Sequence, residues 1–166
     1  EMRSTGEVMG SARGFGMAYA KAEQAAGDPL PTAGTVFVST HDRDKAALVP
    51  VARRLSELGF ALVATSGTAE LLDREGLKVE SILKVHEGRP NIEDAIRSGR
   101  IQLIVNTPIG RQAEHDDTYL RKAALDYAVP TVTTLAGARA AVEAIAALQR
   151  EQLEINALQD LHPAGR

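Results

Sequence analysis

The sequence predicts an α/β protein: a doubly wound, five-stranded parallel sheet preceded by an N-terminal helical and linker segment. Two observations and one general rule lead there. Short β-prone runs alternate with helix-periodic stretches across residues 35–148, the pattern of βαβ units rather than of hairpins. The runs Val36-Phe37-Val38 and Leu103-Ile104-Val105 are continuously apolar, as strands covered on both faces are. Right-handed crossovers between such strands put helices on both sides of the sheet.

Residues 1–10 are polar and contain glycine, and residues 11–27 form an alanine-rich helix ending at Gly27. Asp28-Pro29-Leu30-Pro31-Thr32-Ala33-Gly34 is a linker, punctuated by two prolines and a glycine. Residues 35–39 are the first strand. Leu48, Val51, Leu55 and Leu58 then recur at helical spacing, with Gly59 as the stop. Pro50 fits only near the start of that helix, where its missing N–H costs little. Residues 60–64 are the second strand, 68–74 a short helix closed by Gly76, and 79–83 the third strand. Asn91 caps a helix running to residue 98, and Gly99 ends it. Residues 101–105 are the fourth strand. Asp117 caps a helix to about Tyr127, and 129–132 form a weak fifth strand. Residues 138–148 read as a closing helix packed into the core, and 149–166 as a polar tail.

Composition narrows the function classes. Of 166 residues, 44% are hydrophobic and 25% charged, ordinary values for a water-soluble globular domain. Aromatics are 4% and Trp is absent, so stacking on nucleic-acid bases is not expected. The net charge of −3 offers no global basic field toward nucleic acid or a membrane surface. Without cysteine there is no disulfide framework, thiolate metal site or cysteine nucleophile, which fits a cytoplasmic setting. No apolar run is long enough for a membrane span. The opening Glu1-Met2-Arg3-Ser4-Thr5-Gly6-Glu7-Val8-Met9-Gly10 reads like the middle of something, which suggests a fragment of a longer polypeptide.

In an open parallel sheet, ligands bind beyond the C-terminal strand ends. After the first run come Thr40, His41, Asp42, Arg43, Asp44 and Lys45, and after the second Thr65, Ser66, Gly67 and Thr68. Lys84, His86, Glu87, Gly88 and Arg89 follow the third. Asn106, Thr107, Gly110 and Arg111 follow the fourth, and Thr133 and Thr134 the fifth. This rim carries Lys45, Lys84, Arg89 and Arg111 in a chain that is acidic overall.

Thr65-Ser66-Gly67-Thr68 joins a strand to a helix, and two readings compete there. One is a plain hydroxyl cap. The other is a phosphate seat: free N–H groups and about half a unit of positive charge at the helix start, hydroxyl donors, and a glycine that admits a ligand close to the backbone. Lys45 and Lys84 would add full charge. Lys84 reads equally as a surface lysine, and Asn106 as a tie between two loops. His41 and His86 lack a third partner with metal-ligand spacing, so no metal site is expected. His41 beside Asp42 lacks a positioned nucleophile. Arg97, Arg100 and Arg121-Lys122 read as solvated faces.

Several of these stretches resemble a known family. The first ten residues resemble the segment closing the second ATP-grasp half of the carbamoyl-phosphate synthase large chain. Ala64-Thr65-Ser66-Gly67-Thr68-Ala69, Lys84-Val85-His86-Glu87-Gly88-Arg89-Pro90 and Ile104-Val105-Asn106-Thr107 resemble signatures of that chain's C-terminal regulatory domain. The resemblance covers essentially the whole chain and implies the methylglyoxal-synthase-like fold. It also implies boundaries: residues 1–34 as the end of the preceding synthetase domain and linker, 35–148 as the allosteric domain, 149–166 as a tail.

By the same resemblance the chain is a regulatory module that binds UMP as inhibitor, and IMP, and tunes ATP-dependent carbamoyl phosphate synthesis for pyrimidine and arginine biosynthesis. The effector positions fall on Lys45, Thr65, Ser66, Gly67, Thr68, Lys84, Asn106 and Thr107. Thr65, Thr68, Lys45 and Lys84 would hold the phosphate, with Asn106 and Thr107 near the ribose. No catalytic residue, metal or cofactor is implied in this domain. ATP with Mg or Mn would belong to the parent enzyme, and the partners would be the rest of the large chain and the glutaminase small subunit. Two departures stand out. Pro108 replaces a frequent Thr. Thr131-Val132-Thr133 replaces the Tyr-Asp-Thr of an ornithine contact, so ornithine activation is not expected. The rival is a methylglyoxal-synthase-like lyase acting on dihydroxyacetone phosphate. It needs a carboxylate base beyond the third strand, where Glu87 or Asp94 would have to substitute, outside the glycine-rich setting of those enzymes.

Overall fold

The computed structural model describes residues 8–107 and 114–153, with backbone alone for 114–117. Among the described residues, thirteen elements follow one another. They are α1 (Phe15–Ala26), β1 (Thr35–Thr40), a 3-10 turn (Asp42–Asp44), α2 (Lys45–Glu57), β2 (Ala61–Ala64), α3 (Ser66–Arg74), β3 (Val79–Ser81), a second 3-10 turn (Val85–Glu87), α4 (Ile92–Arg97), β4 (Leu103–Thr107), α5 (Glu114–Asp126), β5 (Thr131–Val132) and α6 (Leu135–Arg150).

The five strands are all parallel, in the order β3-β2-β1-β4-β5. From β1 the chain winds outward to β3, then returns to lay β4 on the other side of β1. The direction reverses between β1 and β4, so the two winding directions put their helices on opposite faces. Side chains along a strand alternate between faces, and β1 shows the consequence. Val36 and Val38 enter one core with Leu48, Leu55, Leu72 and Ile145 from α2, α3 and α6. Phe37 enters a second core with Ile92 and Ile96 of α4 and Leu120 of α5. Each such fully buried aliphatic side chain contributes about 1.5–3 kcal/mol of burial energy. This two-sided burial is why the sequence shows continuous apolar runs instead of alternation.

Outside the first core, α1 lies against α6. Gly16 allows the contact: a Cβ there would come 2.5 Å from the Glu143 carbonyl oxygen. Gly59, at φ 89°, stops α2, and Gly76 and Gly99 end α3 and α4 in the same left-handed conformation, as expected. Among the described residues, no helix is long and apolar enough to cross a membrane.

Several boundaries differ from the sequence reading. Pro50 lies in the second turn of α2, not its first, because a 3-10 turn brings the chain into the helix early. The helix forgoes one backbone bond there. Strand β3 ends at Ser81 rather than residue 83. It is a sheet edge with Glu80 and Ser81 exposed, and its last tie to β2 is the Ile82 N–H to the Ala64 carbonyl at 2.9 Å. Strand β4 starts and ends two residues later than expected, since pairing with β1 continues through Asn106 and Thr107. Helix α5 begins at Glu114, so Asp117 lies inside it rather than capping it. Helix α6 starts at Leu135 because the Thr134 hydroxyl caps it, accepting from the Gly137 N–H at 3.0 Å.

Candidate functional site

The described residues bury five polar side chains: Thr65, Thr68, Asn91, Asn106 and Thr107. Four of the five belong to the set singled out from the sequence, and all four gather at the C-terminal ends of β2 and β4. Burying a hydroxyl or amide costs free energy unless something compensates. A cluster of them at one sheet edge, beside the point where the winding direction reverses, marks the place where such folds receive ligands.

Parallel register builds the cluster. Ser39 pairs with Asn106 and Thr40 with Thr107, while Val38 pairs with Ala64. Thr65 therefore leaves β2 level with the polar ends of β1 and β4. The Thr40 and Thr107 hydroxyls meet at 2.5 Å across the central strand pair. Thr40 was absent from the sequence-derived set, although it stands on the rim. Its signal was its position directly after an apolar run, next to a strand it could not be known to face.

The joint that opens α3 bears on the plain-cap reading of Thr65-Ser66-Gly67-Thr68. Thr65 is the N-cap residue by position, yet its side chain makes no capping hydrogen bond. It instead reaches the Thr68 hydroxyl at a long 3.5 Å. The Thr68 and Ala69 N–H groups bond the Thr65 carbonyl at 2.9 and 2.8 Å. The Ser66 and Gly67 N–H groups have no partner among the described residues, as the first N–H groups of a helix do when nothing caps them. The plain cap is thus not what these residues form.

Lys45 completes this corner. It is the first residue of α2, yet its ammonium reaches the neighbouring joint, 3.2 Å from where a Cβ on Gly67 would stand. Its side chain is 25% exposed, and the ammonium pairs with Asp42 at 2.7 Å. Through that hydrogen bond and its charge, Lys45 holds the Asp42 carboxyl below the usual carboxylate range. A positive helix end, two open N–H groups, buried hydroxyls and an ammonium converge there. Together they suit an anion with several acceptor oxygens.

Lys84 comes from the segment that follows β3, the strand paired with β2. It stands beyond the edge strand β3, half-buried, at the head of the second 3-10 turn. Among the described residues its side chain makes no ion pair or hydrogen bond with Lys45, Thr65 or Thr68. Asn91 organises that neighbourhood. Its side chain is 2% exposed, accepts from the Glu93 and Asp94 N–H groups, and donates to the Gly88 carbonyl at 2.8 Å. Glu87 accepts from the Lys84 N–H at 2.8 Å, and Asp94 accepts from the Asn91 N–H at 3.1 Å. Both carboxylates close local turns. Arg89 is exposed, 3.6 Å from Asp94. Thr134 caps α6, its hydroxyl accepting from the Gly137 N–H. Pro108, Gly110 and Arg111 lie outside the described residues.

A cleft of about 1910 Å³ opens elsewhere, between α1, α2 and α6. None of the sequence-derived residues lines it, and none of the buried polar side chains does. Volume alone does not identify a ligand site.

Comparison with known proteins bears on the same elements. Residues 47–133 match the family model of the MGS-like domain. The carbamoyl phosphate synthase large chain of Acidobacterium capsulatum is 56% identical over 162 residues, 98% of this chain and 15% of that protein. The carbamoyl phosphate synthase large chain, C-terminal section, of Methanopyrus kandleri is 51% identical over 163 residues, 98% of this chain and 30% of that protein. The chain therefore spans between 15% and 30% of the length of these curated relatives. The crystal structure of methylglyoxal synthase from Elizabethkingia anophelis superposes with a TM-score of 0.56 at 19% identity, covering 68% of this chain and 79% of that one. At that identity the likeness is one of fold.

Proposed function

The chain belongs to the MGS-like domain family, and on that footing we propose that it is the regulatory module of a carbamoyl phosphate synthase large chain. It binds a nucleotide monophosphate at the strand ends, UMP as inhibitor, with IMP as the other effector. The observation that carries this reading is the Lys45 ammonium standing over Gly67 at the uncapped start of α3. Phosphate oxygens accept from the Ser66 and Gly67 N–H groups, the Thr65 and Thr68 hydroxyls and Lys45. Asn106 and Thr107 contact the ribose. Lys84 approaches from the β3 side.

No bond is made or broken in this domain. The effector acts by preferring one arrangement of the domain against the synthetase body, and its leverage equals its differential affinity for the two arrangements. A tenfold effect needs about 1.4 kcal/mol of such difference. Residues 1–34 form the connection to that body, 35–148 the effector domain and 149–166 a tail. The parent enzyme is cytoplasmic and uses ATP with Mg or Mn. It works with a glutaminase small subunit and serves pyrimidine and arginine biosynthesis.

The alternative, a lyase acting on dihydroxyacetone phosphate, has less behind it. The two candidate bases beyond β3, Glu87 and Asp94, are each engaged in closing a turn. Calorimetric titration of the chain with UMP and IMP, beside an assay for methylglyoxal from dihydroxyacetone phosphate, separates the readings. Nucleotide binding without turnover is the expected result. Methylglyoxal production, or no binding of either nucleotide, overturns the proposal.

A further inference from the structure

We propose that Asp42 sets the affinity of the phosphate seat by competing with the ligand for the Lys45 ammonium. The inference rests on the seat described under the proposed function. The Asp42 carboxylate lies 2.7 Å from the Lys45 ammonium, and that ammonium stands 3.2 Å from the Cβ position of Gly67. An anion from the chain itself therefore already holds the charge that the ligand requires.

The two partners differ in freedom. The Lys45 side chain is 25% exposed and lies along the joint between α2 and α3, whereas the Asp42 side chain is 86% exposed on a 3-10 turn. Asp42 is thus the member that swings away. An incoming phosphate either displaces it or shares the ammonium with a second negative charge alongside. Both routes weaken binding relative to a free lysine. Asp44, two residues along, carries the same charge but faces Arg43 at 3.7 Å instead of Lys45, so it serves as the control for net charge.

The test titrates the wild-type chain, Asp42→Asn and Asp44→Asn with inorganic phosphate and with UMP at low ionic strength. Asp42→Asn is expected to bind both about two- to fivefold more tightly, the range of an exposed ion pair. Asp44→Asn is expected to change affinity by less than half as much. The gain in Asp42→Asn shrinks as salt screens the pair. If the wild type binds and Asp42→Asn binds equally or more weakly, Asp42 is not a competitor and the seat still stands. An equal gain in both variants assigns the effect to net charge and overturns the proposal. If neither the wild type nor Asp42→Asn binds, the seat itself falls and the competition with it.

Discussion

Lys45 and Gly67 belong to different βα joints, yet the Lys45 ammonium lies 3.2 Å from the point a Cβ on Gly67 would occupy. The pairing of β1 with β2 brings the two joints side by side. Glycine at this position keeps the first turn of α3 open to a ligand and leaves room for the ammonium above it.

Replacing Gly67 by alanine separates stability from function. Alanine favours the helix over glycine by up to about 1 kcal/mol, so unfolding midpoints should hold or rise slightly. The added methyl meets only the end of a flexible side chain, which yields, but it covers the open N–H groups. Phosphate affinity should fall about tenfold, the worth of one good charge-assisted contact. A variant that binds as tightly as the wild type would show that no ligand approaches the backbone here.

Lys45→Ala should weaken nucleotide binding by about 1.5–3 kcal/mol, and Lys84→Ala by a similar amount if both amines reach the phosphate. Calorimetry on the two variants distinguishes them. Unchanged affinity in Lys84→Ala would remove it from the site and leave Lys45 as the cation of the seat.

Asn91 ties the loop that bears Lys84 to the start of α4. Asn91→Ala strips a helix cap and removes the donor to the Gly88 carbonyl, leaving the loop without its tie. The expected loss is about 2–4 kcal/mol in urea unfolding. Asn91→Asp, which keeps the acceptor and loses the donor, should lose less. A cost below about 0.5 kcal/mol in Asn91→Ala would contradict this account of the loop.

Alkaline pH probes the attachment of α1. Burial first, then the hydrogen bond and charge of Glu23, push the Tyr19 phenol up to about 12 from 10.0. The folded state thus holds this proton more tightly than the unfolded chain does. The associated stability is complete below about pH 10 and is lost as pH rises from 10 toward about 12. Circular dichroism across this window, with phenolate absorbance, should show α1 loosening in the wild type and a flatter profile in Tyr19→Phe. Identical profiles would acquit the phenol.

The order of elements was legible because alternating helix and strand patterns leave few topologies, and the helix stops at Gly59, Gly76 and Gly99 and the cap at Asn91 stand in the structure as read. The ends of β3 and β4 were not legible. A polar residue after an apolar run looks like a loop, and only the partner strand decides whether pairing continues. Asn106 and Thr107 continue because Ser39 and Thr40 lie opposite. Leu83 does not, because the edge strand has already parted from β2. The same blindness hid Thr40, whose partner Thr107 is 67 residues away.

By itself the sequence determined the fold class, the two-sided burial of the sheet and the residue types at the strand ends. Those depend on local periodicity and on hydrophobicity, which each segment carries within itself. Only the tertiary structure decided that the Lys45 ammonium lies at the start of α3, that Asp42 already holds its charge and that Thr65 does not cap. These are distances between segments remote along the chain, and they come into being only when parallel strands lock in register and fix which joint faces which.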